Sequence, residues 1–171
     1  MHKGSTMREK ILDRQALSKL IEDRRQKGLP PRRIVFTNGC FDLLHVGHVR
    51  YLWEARRQGD CLVVAINTDE SIRRLKGPDR PILPLDERLQ IMAGLACVDY
   101  VTWFEEDTPI ALLELLRPEV LVKGANYPIE GVVGHELVQQ WGGEVRVLHL
   151  TEGASTTNLI ERVQAIRKQK G

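Results

Sequence analysis

The stretch that decides the fold reads Thr-Asn-Gly-Cys-Phe-Asp-Leu-Leu-His-Val-Gly-His and covers residues 37–48. It comes after a short apolar run, which predicts a buried strand near 33–37. Behind it, apolar residues repeat at helical spacing from 46 to 58, and Gly59 ends that pattern. The stretch therefore predicts a junction where a buried strand passes into a helix through a turn of small residues.

Short apolar runs and amphipathic segments alternate on both sides of this junction. Upstream, a helix is expected from an Asp13 cap to a stop at Gly28. Downstream, further strands are predicted at 61–67, 98–104, 119–124 and 144–150, and further helices at 85–96, 108–117, 130–141 and from about Ser155. The order predicts an α/β fold with a doubly wound parallel sheet.

Two segments carry additional expectations. The chain around Lys76, Gly77 and Pro81 is predicted to be a polar loop. In the last helix, a stripe of apolar residues is expected to be buried; its members are Leu159, Ile160, Val163 and Ile166.

Length and composition indicate one soluble domain. The chain has 171 residues, 42% of them hydrophobic and 28% charged, with a net charge of +2. Residues 1–10 are interpreted as a leader, and 11–171 as a single domain with a core over 33–167. No apolar run approaches the ~20 residues of a membrane helix. Three cysteines without CxxC spacing favour the reducing cytoplasm over a disulfide framework.

Ligands of such sheets bind outside the carboxyl ends of the strands. Three strand-to-helix junctions are candidates: 37–48, 123–127 and 151–157. In the first, His45 and His48 share one side of a helical turn, with Gly47 between them and free N–H groups at the helix start. Two imidazole donors beside a helix N-terminus suit phosphate chemistry. Neither GxGxxG nor GxxxxGK[ST] is present, so neither dinucleotide binding nor P-loop hydrolysis is supported. From spacing alone, structural histidines or a metal site stay open as alternatives.

The first junction resembles a signature of the HxGH nucleotidylyltransferase superfamily, G-x-F-D-x-x-H-x-G-H, at every fixed position. The segment TEGASTT at 151–157 resembles the second signature of that family. Within the family, the segments 74–88, 97–109 and 121–127 are similar to the adenylyltransferases of ADP-heptose synthesis, in their stand-alone form. The resemblance implies a Rossmann-like fold and transfer of AMP from ATP to D-glycero-D-manno-heptose 1-phosphate.

The resemblance also implies roles for particular residues. His45, His48 and Lys76 would be catalytic. The nucleotide would be bound by Thr37, Asn38, Gly39, Cys40, Phe41, Gly47, Lys123, Gly124, Asn126, Ser155, Thr156 and Thr157. Asp42 and Arg88 would serve the acceptor, Asp42 chiefly by ordering its loop; the alternative for Arg88 is a surface charge on its helix. Mg²⁺ would arrive mainly with ATP, so no protein metal ligands are expected.

Two positions depart from the family pattern. Asn126 stands where an aspartate is expected, which leaves any metal or ribose role of that position in doubt. Leu150 stands where glycerol-phosphate cytidylyltransferases carry arginine, which argues against that branch.

The expected partners are therefore ATP and a sugar phosphate, with no nucleic acid and no membrane, and a homodimer is left open. One alternative is a cytidylyl- or adenylyltransferase for another acceptor, such as glycerol 3-phosphate or phosphopantetheine. A second alternative is a nucleotide-binding sensor without turnover.

Overall fold

The computed structural model describes residues 6–124, 128–148 and 156–168. Its strands are β1 (Ile34–Gly39), β2 (Cys61–Asn67), β3 (Tyr100–Phe104), β4 (Val120–Gly124) and β5 (Glu144–Leu148). Its helices are α1 (Arg14–Gln26), α2 (Val46–Arg56), α3 (Asp69–Lys76), α4 (Leu85–Ala93), α5 (Ile110–Leu116), α6 (His135–Gln140) and α7 (Thr156–Lys168). Short 3₁₀ turns cover Met7–Lys10 and Ile129–Gly131.

The five strands form one parallel sheet in the order β3-β2-β1-β4-β5. From β1 the chain winds outward to β2 and β3, then returns to place β4 on the other side of β1. The order thus reverses between β1 and β4, where such sheets bind ligands. The predicted doubly wound α/β fold is confirmed.

The seam between β1 and β4 is short. β1 pairs with β2 along its whole length, from Ile34 with Cys61 to Gly39 with Ile66. With β4 it pairs at Val35–Val120 and Phe36–Leu121. Beyond these pairs the two strands diverge at their carboxyl ends, which leaves room for a cleft.

Both faces of the sheet are covered, because strand side chains alternate between two apolar clusters. On one face Val64 and Ile66 of β2 pack with Leu52 of α2 and Met92 of α4. On the other face, residues of the same strands pack with α1, α5 and α6; the cluster includes Val63, Phe36, Leu17, Ile21, Leu112 and Val138. The near-continuous apolar runs of β1 and β2 follow from this two-sided burial.

Local signals explain the helix bounds. The Asp13 carboxylate accepts a hydrogen bond of 2.8 Å from the Ala16 N–H, and Gly28 takes the left-handed conformation just beyond α1. Both ends of the predicted first helix are confirmed.

Three expectations need correction. The segment predicted as loop contains α3, whose start is capped by the Thr68 hydroxyl. The helix predicted over 130–141 is divided into a 3₁₀ turn that ends at Gly131 and α6, which begins after Gly134; the φ of +91° at Gly134 is incompatible with a continuous helix. The α7 stripe is not buried: Val163 is 67% and Ile166 57% exposed.

Residues placed in the leader also contribute to the fold. The Met7–Lys10 turn lies against the end of α4, and the Lys10 ammonium donates to the carbonyls of Leu95 and Val98 at 3.2 and 2.8 Å. Ile11 then bridges to Val101 on β3. Among the described residues, no helix is long and apolar enough to cross a bilayer.

A substitution at Gly59 tests how tightly the turn between α2 and β2 packs against the start of β1. A Cβ at this position would lie 2.4 Å from the Arg33 carbonyl oxygen and 2.7 Å from a methyl group of Val35. We expect Gly59→Ala to lower the free energy of unfolding by about 3 kcal/mol, since the backbone must shift.

Gly142→Ala is the matched control, because its Cβ would meet nothing within 4 Å and only its φ of +80° opposes the change. That variant should lose about 1 kcal/mol. Urea unfolding followed by circular dichroism measures both, and a smaller loss for Gly59→Ala than for Gly142→Ala would contradict the packing argument.

Candidate active site

A cleft of about 190 Å³ opens at the carboxyl ends of β1 and β4. Its lining comes from the β1–α2 turn, α2, the end of α3 with the following loop, the end of β4 and the start of α7. The lining residues are Asn38, Gly39, Cys40, Phe41, Asp42, His48, Tyr51, Lys76, Arg80, Lys123, Gly124 and Thr156. Segments far apart in sequence therefore meet at the reversal point of the sheet.

Two stacked imidazoles lie at the start of α2. His45 is the N-cap residue, and its ring lies 3.9 Å from that of His48 with an interplanar angle of 24°. The edge of Phe41 packs against His48, with centroids 5.4 Å apart. Phe41 adopts a φ of +43°, a left-handed conformation that is rare outside glycine and asparagine. The turn thus holds its backbone in an unusual conformation and supports the histidine pair.

Both rings are neutral at physiological pH. Burial lowers the pKa of His48 to about 4, aided by the repulsion that its protonated ring would meet from a protonated His45 and from Lys76. Burial also lowers the pKa of His45. The Nδ1 atoms of both rings are buried and lack a hydrogen-bond partner in the described part of the chain. Nε2 is therefore the nitrogen by which each ring can reach a ligand.

Both carboxylate oxygens of Asp42 are hydrogen-bonded within the protein. Its carboxylate accepts hydrogen bonds from the backbone N–H groups of Ile82 and Leu83 at 2.8–2.9 Å and from the Arg80 guanidinium. Burial would raise its pKa, but these hydrogen bonds outweigh burial, and the pKa lies below its ordinary value. The expected loop-ordering role fits this arrangement, although the loop that Asp42 fastens is the one at 80–83.

Arg88 lies beneath the cleft and not in it. It is 1% exposed, which excludes the alternative of a surface charge. Its guanidinium donates to the carbonyls of Cys40 and Asn67, both at 2.8 Å, to the Leu83 carbonyl at 3.0 Å, and to the Asp69 carboxylate at 2.6 Å. These hydrogen bonds join the turns that form the cleft floor. The predicted contact of Arg88 with the acceptor stays a prediction.

The two lysines of the cleft differ in their surroundings. The Lys123 ammonium donates to the backbone and side-chain oxygens of Asn38 at 3.1 and 3.3 Å, and burial lowers its pKa. It thereby joins the end of β4 to the end of β1. Lys76 ends α3, is exposed, and has no hydrogen-bond or ion-pair partner in the part of the chain that the structure describes. Lys76 is thus a cation that an anionic ligand can engage at little cost.

Thr37 and Thr156 have structural contacts of their own. The buried Thr37 hydroxyl lies 2.6 Å from the Tyr51 hydroxyl, which donates to the Val122 carbonyl at 3.1 Å. The Thr156 hydroxyl donates to the Leu43 carbonyl at 3.3 Å and so connects the start of α7 to the β1–α2 turn. Thr37 therefore supports the cleft from below, whereas Thr156 lines it.

The structure brings most of the predicted site residues together. Within the described residues, Thr37, His45, Gly47, Arg88 and Thr157 do not line the cleft, although His45 stacks on His48. Asn126 and Ser155 lie outside the described residues. Their roles stay predictions.

Two lining residues have no role in the sequence-based site. Tyr51 lies three positions after His48 on α2, so helical spacing could have identified it. Arg80 lies in the segment predicted as a polar loop, and its partner Asp42 is 38 positions away in the sequence. No local pattern predicts that pair.

The comparisons with known proteins agree with this geometry. A family model described as cytidylyltransferase-like matches residues 36–162. The bifunctional protein HldE of Trichlorobacter lovleyi is 55% identical over 154 residues, which cover 90% of this chain and 31% of that protein. HldE of Alcanivorax borkumensis is 58% identical over 144 residues, covering 84% and 30%. The chain spans about a third of the length of these curated relatives.

Solved structures show the same architecture. A lipopolysaccharide core biosynthesis protein from Thermoplasma volcanium matches with a TM-score of 0.57 and 27% identity, over 71% of this chain and 98% of that one. A pantoate-beta-alanine ligase from Francisella tularensis matches with a TM-score of 0.50 and 16% identity, over 83% and 67%. The second likeness concerns the fold alone.

The histidine pair makes stability depend on pH. His48 has a folded-state pKa of about 4, below its ordinary value of 6.5, so the unfolded chain binds the proton first as pH falls. The stabilisation is complete above pH 6.5 and is lost progressively toward pH 4. We expect the free energy of unfolding to fall between pH 7 and pH 5, and less steeply in His48→Gln. Urea titrations across this range measure both slopes, and equal slopes would contradict the assignment.

Proposed function

The chain belongs to the cytidylyltransferase-like family, and from that premise we propose that it transfers AMP from ATP to D-glycero-D-manno-heptose 1-phosphate. The products are ADP-heptose and pyrophosphate, and the pathway is lipopolysaccharide core assembly. The observation that carries the proposal is the stacked His45–His48 pair at the start of α2, beside the reversal point of the sheet.

This arrangement suits the transfer of a nucleotidyl group. An oxygen of the acceptor phosphate attacks the α-phosphorus of ATP, and the bond from that phosphorus to the bridging oxygen breaks. The electron pair of that bond leaves with pyrophosphate. The nucleophile is already anionic at neutral pH, so the step requires no general base. Positioning and stabilisation of the developing charge then carry the rate.

Residues in and beside the cleft have different roles in this step. His45 and His48 are neutral and donate from Nε2 to the phosphate oxygens, aided by the free N–H groups of the first turn of α2. Lys76 adds a cation with no protein partner among the described residues. Lys123 of β4, Asn38 of β1 and Thr156 of α7 line the part of the cleft at the reversal point, where the nucleotide binds. Gly124 and the backbone of 39–41 also line the cleft. Nucleotide contacts by Ser155, Thr157 and Asn126 remain predictions from the sequence motifs.

Mg²⁺ reaches this cleft as part of the ATP substrate. Asp42 is the acidic side chain among the described lining residues, and its oxygens are engaged by Arg80 and two backbone N–H groups. No group of three or more His, Cys, Asp or Glu side chains among the described residues could hold a metal. The side chains that the structure describes therefore do not form a site for a resident metal.

Sequence likeness supports the choice of substrates. The segments 74–88, 97–109 and 121–127 are similar to heptose adenylyltransferases. The matched Thermoplasma structure bears the name of a lipopolysaccharide core biosynthesis protein. Leu150 occupies the position at which cytidylyltransferases of glycerol phosphate carry arginine. Free thiols at Cys40, Cys61 and Cys97 suit a cytoplasmic enzyme.

Replacing either histidine should lower turnover. His45→Ala and His48→Ala each remove a donor to the developing charge, so we expect kcat to fall by ~10²–10³. His135→Ala is the control, because that ring lies on α6 and contacts the Val132 carbonyl. Pyrophosphate release measures kcat, and a near wild-type value for either cleft variant would remove that histidine from the mechanism.

A substrate panel tests the reaction itself. Pyrophosphate release is measured with ATP, CTP and GTP against both anomers of the heptose 1-phosphate, glycerol 3-phosphate and phosphopantetheine. We expect turnover with ATP and one heptose anomer, with kcat/KM for ATP at least about tenfold above that for CTP, a difference of about 1.4 kcal/mol. Turnover with glycerol 3-phosphate or phosphopantetheine, but with neither heptose 1-phosphate, would contradict the proposed acceptor. No turnover with any pair of nucleotide and acceptor would contradict the proposal that this protein is an enzyme.

A further inference from the structure

We propose that Arg80 determines acceptor specificity by binding the acceptor phosphate, with Asp42 holding its guanidinium in place. The inference rests on the proposed function for the identity of the acceptor. It assigns to Arg80 the phosphate contact that the sequence analysis gave to Arg88, which does not line the cleft and makes four hydrogen bonds to protein groups with its five N–H donors.

The guanidinium of Arg80 is only partly used by the protein. Its Nε and Nη2 atoms lie 2.8 and 2.7 Å from the same oxygen of Asp42, Oδ2. An arginine side chain has five N–H donors in a fork. Nη1 and the second hydrogen of Nη2 have no partner among the described residues. The side chain is 16% exposed and lines the cleft, so these donors are available to a ligand there.

Asp42 provides a rigid base for this contact. Its side chain is 1% exposed and is itself fastened by the backbone N–H groups of Ile82 and Leu83. The carboxylate therefore cannot turn away from Arg80 without leaving buried polar groups unpaired. Because the guanidinium is held before the ligand arrives, binding loses less side-chain entropy than it would with a mobile arginine.

The position of Arg80 favours the acceptor over the triphosphate. The nucleotide is expected at the reversal point between β1 and β4, where Lys123, Gly124 and Thr156 lie. Arg80 lies in the loop after α3, which follows β2, and β2 is on the opposite side of β1 from β4. An acceptor that attacks the α-phosphorus from the β2 side would place its own phosphate beside Arg80. A planar fork of donors matches a phosphate group better than a single ammonium does.

The test compares Arg80→Gln and Arg80→Lys with Arg74→Gln. Arg74 is the matched control, since its Nε makes an ion pair of 2.8 Å with Asp107 on the exposed side of α3. Initial rates are measured while the acceptor is varied at saturating ATP, and while ATP is varied at saturating acceptor.

In Arg80→Gln we expect the acceptor KM to rise about 10- to 100-fold, as for loss of a charge-assisted hydrogen bond. The KM for ATP and kcat should stay within about threefold. Arg80→Lys should recover part of the loss, because it keeps the charge without the fork. Arg74→Gln should match the wild type. An unchanged acceptor KM in Arg80→Gln would overturn the proposal, and so would a rise confined to the KM for ATP.

A measurement without turnover separates this inference from the proposed function. Inorganic phosphate is titrated as a probe against the thermal midpoint of each variant. We expect a saturable rise in the wild type and in Arg74→Gln, and a weaker rise in both Arg80 variants. If no heptose 1-phosphate is turned over but the effect of phosphate on the thermal midpoint depends on Arg80, the proposed acceptor is wrong and the anion site at Arg80 is supported. If the phosphate effect is equal in all variants, the site is wrong whatever the substrate. If Arg80→Gln does not fold, Arg80→Lys alone is compared with the wild type and Arg74→Gln.

Discussion

The buried guanidinium of Arg88 is the contact on which the cleft depends. One side chain of α4 joins the turn after β1, the turn after β2 and the loop before α4, through the oxygens of Cys40, Asn67, Leu83 and Asp69. Backbone carbonyls that turn away from a sheet and are buried need donors, and here a single charged group supplies several. The orientation of the Cys40 carbonyl in turn constrains Phe41, whose ring supports His48.

A second, separate connection joins the same turns from the other side. Asp42 belongs to the turn after β1, and it fastens the loop at 80–83 through Arg80 and two backbone N–H groups. The pair of connections is complementary in charge: a cation with carbonyl partners lies below the cleft, and an anion with N–H partners lies at its edge. The cleft thereby keeps a defined floor although it is made of loops, which are otherwise the least constrained parts of a fold.

Local patterns were sufficient for much of this architecture. Apolar runs identified the strands because β1 and β2 are buried on both faces, and the Asp13 cap and Gly28 marked α1. The sequence predicts a loop where α3 lies, because this helix buries only Ser71 and Ile72 and its charged residues hide the helical period. In α7 the apolar residues do have helical spacing, but the predicted burial of this stripe is wrong. Spacing identifies an apolar face of a helix and does not show whether another element covers it. In the site, His45, His48 and Lys123 came from motifs, whereas the Arg80–Asp42 and Arg88–Cys40 contacts join residues 38 and 48 positions apart and have no local signature.

The short pairing between β1 and β4 has a consequence for the energetics of the whole sheet. The seam is limited to Val35–Val120 and Phe36–Leu121, yet it joins the part of the chain that carries the histidines to the part that carries Lys123. A ligand that contacts His48 and Lys123 at once bridges this seam, and its binding free energy adds to the cohesion of the two halves. Occupancy therefore opposes the separation of β4 and β5 from the rest of the sheet. A bound ligand therefore cross-links the sheet between β1 and β4, the neighbouring strands with the fewest paired residues.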